Sequence, residues 1–488
     1  MKTKTPWHSG KMICVAVFFI AAIVTLVAIA IVQNKPLEQK YKYGIVLDAG
    51  SSHTAMYIYE WPAEKENNTG MVGQRHKCKV KGKGISSYAR EVAGAGRSLA
   101  MCMEEAKQCI PAAKHQDTPV YLGATAGMRL LMKQDRNSAV KVMEAVQQTL
   151  QASPFSYQGA RIISGQEEGA FGWITVNYLG KNFQKAAGTM GALDLGGAST
   201  QITFVSKETI QSPDNAMEFR LYGNDYQVYT HSFLCYGKDQ VLKLALEKKL
   251  KSADTSLEDP CFHTGYSEDK LFQKVFDSPC VQAVSTDAMN KSFMHKGSGN
   301  FIECQNSIKD IFNFSQCKNS QCSFNGVYQP PVEGTFGAFS AFYFVMNFLN
   351  LTGQSLADTK KGMEHYCQTP WNTIVENHPK VDKKYLAEYC FSGTYILTLL
   401  ENGYNFTSEN WKDINFIDKI EGSNAGWSLG YMLNLTNMIP AEAPDTPLMP
   451  HGGFVTLMLF LTLFLLILLF LGYTFLGRPS CLPPKEIV

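Results

Sequence analysis

Two short stretches each carry a carboxylate into a glycine-rich turn. Lys42–Trp61, KYGIVLDAGSSHTAMYIYEW, runs an apolar segment (Gly44–Leu47) up to Asp48, turns at Gly50-Ser51-Ser52-His53, and leaves on a segment alternating towards Ile58. Ala192–Val205, ALDLGGASTQITFV, repeats the pattern 146 residues later: Leu193, Asp194, Gly196 and Thr200 coincide with Leu47, Asp48, Gly50 and Thr54. Each reads as a β-hairpin whose tip offers backbone N–H groups and small hydroxyls beside an acid ending a buried strand. The duplication predicts two related lobes facing one another across a phosphate and a metal ion.

Two steps between the hairpins add chemistry. Thr118–Leu122 reads as a strand entering Gly123-Ala124-Thr125-Ala126-Gly127, where small residues leave donors free at a helix start, a setting that suits an anion. Gly165-Gln166-Glu167-Glu168-Gly169 opens a helix through Leu179. One of its glutamates is explained as a dipole-favoured cap, which leaves the other to enter a cleft. Asp48 and Asp194 suit Mg²⁺ or Ca²⁺, directly or through water. Glu168 is the candidate base, and Ser199 and Gln201 are candidates for orienting water. The turns and Thr125 supply donors to phosphoryl oxygens. Together these are the parts of metal-assisted phosphoryl transfer to water.

Positioning such parts takes an α/β chain of some size, and 488 residues have room for two ordinary domains. Asp135–Leu150 carries an amphipathic helical period, Ala160–Ser164 reads as a strand and Asp239–Lys251 as a helix. The apolar run Gly337–Leu351 reads as one helix, more core than ligand platform. Tyr385–Leu400 and Ser423–Leu435 read as helices, the latter returning to the first lobe. A net charge of +2, with no basic patch interleaved with aromatics, argues against a nucleic-acid partner.

The ends of the chain place it in a membrane. Met12–Val32 and Phe454–Leu476 are uncharged runs long enough to span a bilayer. Ala28-Ile29-Ala30 resembles a signal-cleavage site, but the apolar core is too long for a signal peptide and reads as an uncleaved anchor. Lysines flank the first span on both sides, so the charge rule gives no orientation. The six N-x-S/T acceptors (Asn67, Asn290, Asn313, Asn350, Asn405 and Asn434) all fall between the spans. Eleven of the 13 cysteines lie there too, without a CxxC pair or an HExxH motif, as suits disulfides in an oxidising compartment. The expected order is a cytosolic tail (1–11), a span (12–32), a first lobe (43–160 with 424–439), a second lobe (161–423), a proline-rich stalk (440–453), a span (454–476) and a cytosolic tail (477–488). Two spans also leave room for a homo-oligomer.

Five blocks resemble the apyrase regions of the ecto-nucleoside triphosphate diphosphohydrolases (ecto-apyrases), especially their plasma-membrane, two-span subgroup of vascular and lymphoid type: VLDAGSSHT (46–54), LGATAGMRLL (122–131), GQEEGAFGW (165–173), ALDLGGASTQ (192–201) and GWSLGYMLNLTN (426–437). The resemblance implies two ribonuclease H-like lobes of the actin/Hsp70/sugar-kinase architecture, extracellular nucleotides as substrates and Ca²⁺ or Mg²⁺ as cofactor. It implies Glu168 as the base, Ser199 and Gln201 as water-positioning groups, and Asp48 and Asp194, with Thr125 nearby, holding the metal's water shell. Gly50, Ser51, Ser52 and His53 with Gly196, Gly197 and Ala198 match the phosphate loops. Phe344 and Tyr385 stand where the family sandwiches the base, and Lys238 falls at the base edge. The resemblance further implies disulfides 78–102, 235–280, 261–304, 317–322 and 367–390, leaving Cys109 unpaired. Gly180–Met190 is shorter than in the vascular type. The rival readings are a kinase of the same fold and a non-catalytic receptor ectodomain; sequons and disulfides oppose a kinase fed by cytosolic ATP.

Overall fold

Two β-hairpins that each end in an acid seed two sheets of matching plan in the computed structural model. The described residues are 6–33, 41–63, 72–185, 188–251, 254–318, 321–438 and 449–476. β1 (Tyr41–Ala49) pairs antiparallel with β2 (Thr54–Pro62), and β3 (Gly73–Lys79) continues on the far side of β2. β4 (Pro119–Ala124) and β5 (Ser156–Ile162) extend the other side in parallel, giving the order β3-β2-β1-β4-β5. In the second sheet β6 (Gly191–Leu195) and β7 (Ser199–Val205) form the hairpin, and β8 (Ala216–Leu221) and β9 (Asn224–Leu234) lie beyond β7. A separate small sheet holds β10 (Ser256–Asp259), β11 (Ser267–Leu271) and β12 (Ser292–Gly297). β13 (Phe336–Ser340) and β14 (Ile414–Phe416) then join β6 in parallel, completing the order β14-β13-β6-β7-β9-β8. Each acid-bearing strand therefore has an antiparallel neighbour on one side and a parallel one on the other. Asp48 lies opposite Ala55 and Gly123, and Asp194 opposite Gln201 and Phe339.

The apolar run 337–351 departs from its expectation. Phe336–Ser340 is a buried strand between β6 and β14, and only Ala341–Phe348 is helical. A short apolar run buried on both faces has no period that separates strand from helix. The break falls at Ser340, whose φ of 58° no regular strand or helix continues. The helix expected over 423–435 begins at Trp427, and the strand expected over 160–164 occupies 156–162.

Three large apolar layers hold the unit Tyr41–Pro440. One lies under the first sheet around Ile45, Leu47, Met56 and Val142, and one under the second around Leu193, Ile202, Phe336 and Tyr395. A third joins Val46, Tyr59, Phe171, Trp173, Phe339, Trp427 and Leu429, built largely on the Gly165–Leu179 and Trp427–Met438 helices. These two helices cross closely: the Gly430 N–H donates to Thr175 Oγ1 at 2.8 Å, and the Thr175 hydroxyl donates to the Gly426 carbonyl at 2.5 Å. All five disulfides implied by the resemblance are formed, and Cys109 is free.

Chain contacts separate a terminal unit from Tyr41–Pro440. The terminal unit holds Pro6–Gln33 and His451–Leu476, both long and apolar enough to cross a membrane. Within it Gln33 Nε2 donates to the Met449 carbonyl at 2.7 Å. Asn67, Pro36, most of the 440–453 stalk and the 477–488 tail lie outside the described residues.

A methyl group on Gly430 would overlap the Phe171 carbonyl, whereas nothing stands within 4 Å of the same position on Gly426. Gly430→Ala is expected to cost about 1–3 kcal/mol by overpacking and to lower the thermal midpoint by several degrees. Gly426→Ala, the control in the same calorimetric scan, leaves the midpoint within experimental error.

Candidate active site

The two hairpin turns meet. A Cβ on Gly197 would stand 2.7 Å from both the Ser51 hydroxyl and the Asp239 carboxylate, so only glycine admits this approach. A Cβ on Gly127 would stand 2.7 Å from Ser51 Cα, which puts the start of the Ala126–Gln134 helix against the same turn. The Thr125 N–H donates to the Ala49 carbonyl at 3.1 Å, locking that helix start to the end of β1. On the other side the Lys238 and Asp239 N–H groups donate to the Gly196 and Gly197 carbonyls at 2.9 and 2.8 Å, tying the Lys238–Lys249 helix to the second turn.

Between the turns lies a cleft of about 640 Å³. Asp48, Asp194, Glu168, Thr125 and Ser199 line it, together with Gly50, Ser51, Ser52 and His53 of one turn and Gly196, Gly197 and Ala198 of the other. Lys238, Phe344 and Tyr385 also line it; the two rings are 58% and 48% exposed, large apolar faces left uncovered. Lys238 Nζ sits 2.7 Å from Asp239 and 3.1 Å from Glu388, and those two carboxylates outweigh its burial and hold its pKa above the ordinary lysine value.

Local chemistry divides the two glutamates. Glu167 closes a capping box: its N–H donates to Ser164 Oγ at 3.1 Å, and its carboxylate accepts the Ser164 N–H at 2.9 Å. Glu168, about 100° further round the helix, faces the cleft. Its Oε2 accepts from Arg129 at 2.7 Å and from Gln201 Nε2 at 3.2 Å. Arg129 also donates to Ser199 Oγ at 3.1 Å and to the Ile163 carbonyl at 3.0 Å.

Gln201 departs from its expected place. It is buried behind the cleft, and its Nε2 donates to Ser199 Oγ at 2.7 Å and Ser232 Oγ at 2.9 Å besides Glu168. Paired opposite Asp194 on β7, it lies on the cleft side of the sheet, but Glu168, Ser199 and Ser232 gather round its amide and cover it.

Glu168 and Asp194 are buried and Asp48 is half-buried, and the three acids share few counter-charges. Burial first, then Glu168, raises the Asp48 pKa to about 7, with Trp427 and Lys77 pulling the other way. Burial, then Glu168 and Asp48, raises Asp194 to about 8, against a hydrogen bond from Ser340. Burial also raises Glu168, opposed by Arg129. Among the described residues no three His, Cys, Asp or Glu side chains are placed to hold one metal ion between them.

Three residues of the site carried no assignment from the sequence. Arg129 sits inside a block that was read only for its small residues. The Trp427 indole lines the cleft, and its buried N–H approaches Asp48 closely enough to favour the carboxylate without closing a hydrogen bond. Ser340, in the left-handed region, stands beside Asp194 and favours its ionised form. No local signal marks Ser340, because its role follows from the parallel pairing of β13 with β6.

Paired sheets of one plan, each delivering an acid to a shared cleft, define the class of duplicated, actin-like α/β proteins. The chain belongs to the GDA1/CD39 (nucleoside phosphatase) family, whose model matches residues 34–448. It is 50% identical over 479 residues to ectonucleoside triphosphate diphosphohydrolase 1 of Mus musculus, covering 94% of each chain. It is 46% identical over 443 residues to ectonucleoside triphosphate diphosphohydrolase 8 of Bos taurus, covering 87% of this chain and 89% of the relative. Among solved structures, the nucleoside triphosphate hydrolases from Neospora caninum share the fold, with a TM-score of 0.60 at 14% identity over 82% of this chain and 93% of theirs. The family expected from the five sequence blocks is the family found.

The raised carboxyl values set a pH dependence. In the folded chain Asp48 and Asp194 keep their protons up to about pH 7 and 8, whereas the unfolded chain loses them near 3.8. The folded state binds more protons across that window, so its stability falls as pH rises. In chelator, the thermal midpoint of the full chain is expected to drop between pH 5 and 8.5, and the Asp48→Asn/Asp194→Asn double variant to show a flatter slope.

Proposed function

We propose that the chain is a cell-surface hydrolase that removes the terminal phosphates of extracellular nucleoside tri- and diphosphates, such as ATP, ADP, UTP and UDP, one hydrolysis at a time, giving in the end the monophosphate and inorganic phosphate. One observation carries the reading: Asp48, Asp194 and Glu168 face a single cleft beside two glycine turns. The ectonucleoside triphosphate diphosphohydrolases among its relatives support it. So do the two apolar terminal helices and five disulfides, which fit an ectodomain anchored in the plasma membrane at both ends with both tails in the cytosol. Of the glycan acceptors, Asn290, Asn350 and Asn405 are exposed, as attachment requires.

The donor set fits a hard divalent cation. Asp48 and Asp194, with Thr125, offer oxygen ligands only, and without three converging acids they suit an ion that keeps part of its water shell. Bound Ca²⁺ or Mg²⁺ supplies charge neutralisation at the phosphoryl oxygens. The residues do the rest. Backbone N–H groups and hydroxyls of both turns hold the terminal phosphate. Glu168 Oε2 is engaged by Arg129 and Gln201, which leaves Oε1 to take a proton from water. Ser199 Oγ accepts from Arg129 and Gln201, so its own O–H is left to donate into the cleft and orient that water for in-line attack. Gln201 acts one step back, by holding Ser199 and Glu168. Phe344 and Tyr385 take the base between aromatic faces, which tolerate purine and pyrimidine alike.

Phosphate release from a ladder of tri-, di- and monophosphates, with and without chelator, tests the reaction on membranes carrying the full chain. Glu168→Gln is expected to lower turnover by about 10²–10⁴; unchanged release removes Glu168 as the base. Arg129→Lys keeps the charge but loses the fork that joins Glu168 to Ser199. It is expected to lower kcat about ten- to a hundredfold, the worth of one charged hydrogen bond, with little change in KM.

A further inference from the structure

Cross-strand pairing lays two rows over the first sheet. Ala55 lies opposite both Asp48 and Lys79, and Tyr57 lies opposite both Val46 and Lys77. Opposed residues share a face and alternate residues return to it, so Asp48, Lys79, Tyr57 and Lys77 project from the same side. Strands stand about 4.8 Å apart, which roots Lys79 about 10 Å from Asp48 with only a methyl group between them. The result is a low lane running sideways from Asp48 to the edge strand β3. Tyr57, Lys77, Lys79 and His53 line the same cleft as Asp48.

The far end of this lane is positively charged. Lys77 Nζ stands 5.3 Å from the centre of the Tyr57 ring. Neither lysine makes an ion pair among the described residues. Partial burial lowers the Lys77 pKa, with Lys419 and Lys79 adding to the effect and Asp418 and Asp48 opposing it. Burial, then Lys79 and Lys77, holds the His53 imidazole below its ordinary value.

We infer that Lys77 and Lys79 form a lateral anion subsite that receives the orthophosphate severed beside Asp48 and Asp194. The inference rests on the function proposed above. A nucleotide whose base lies against Phe344 and Tyr385 is anchored on helices belonging to the second sheet, and its chain ends between the two acids. The lane begins there, on the first sheet, so the severed phosphate enters it and the remaining nucleotide does not. Released as an anion beside carboxylates, orthophosphate is drawn along the lane to two lysines that no carboxylate pairs directly among the described residues.

The test titrates orthophosphate into the full-length Glu168→Gln chain by calorimetry, with and without Lys77→Gln/Lys79→Gln, and measures nucleotide KM for the lysine variant in the otherwise native chain. The lysine changes are expected to weaken orthophosphate binding about tenfold, as for the loss of one charge-assisted hydrogen bond, and to leave KM within about twofold. Unchanged orthophosphate affinity overturns the subsite. A KM that rises in parallel also overturns it, because the lysines then hold the substrate's own phosphates. A native chain that releases no phosphate from nucleotides refutes the hydrolase reading instead, while the titration still reports on the lysines.

Discussion

The constraint on which the rest of the structure depends is the removal from water of three carboxylates in one cleft, to which their mutual repulsion adds. Asp48 and Asp194 each feel Glu168, and Asp194 also feels Asp48. Arg129 is the guanidinium paired directly with this group, and its hydrogen bond goes to Glu168. Left alone, the two aspartates keep their protons near neutral pH. Two charges held apart by protons and one held by arginine make a site that is short of positive charge, and that shortage is what a divalent cation relieves. The glycine turns serve the same end, because their close approach brings the acids to one cleft.

Duplication explains how a chain reaches such an unfavourable arrangement repeatedly and reliably. Each acid is the next-to-last residue of its strand, fixed by an antiparallel partner on one side and a parallel partner on the other. Strand register rather than loop conformation therefore aims it. The Gly165–Leu179 and Trp427–Met438 helices, crossing where Gly430 meets the Phe171 carbonyl, brace the apolar layer that includes Val46 on β1 and Phe339 on β13. Glu168, on the first turn of one of these helices, is thereby placed by the same packing that joins the sheets.

Much of this was legible in the residues themselves, and the limits have physical causes. The hairpins, the helix opening at Gly165 and the division of labour between Glu167 and Glu168 follow from turn chemistry and capping, which act over four or five residues. The strand at 336–340 did not, because an apolar run buried on both faces lacks a period. Arg129 and Ser340 act on partners 39 and 146 residues away in the sequence, Glu168 and Asp194, and local pattern has no access to such distances. Gln201 shows the reverse case: a residue found from its motif that sits on the cleft side opposite Asp194 but is covered there by Glu168, Ser199 and Ser232. Lys77 and Lys79, ordinary edge-strand lysines in the sequence, gain meaning only from the register that aligns them with Asp48.

The most direct measurement is proton release on cation binding. Calcium or magnesium would be titrated into the full chain at pH 7 in buffers of different ionisation enthalpy. Net release of protons that disappears in Asp48→Asn/Asp194→Asn is the outcome expected if the cation replaces protons on two crowded aspartates. Cation binding of undiminished affinity with no proton release would contradict it.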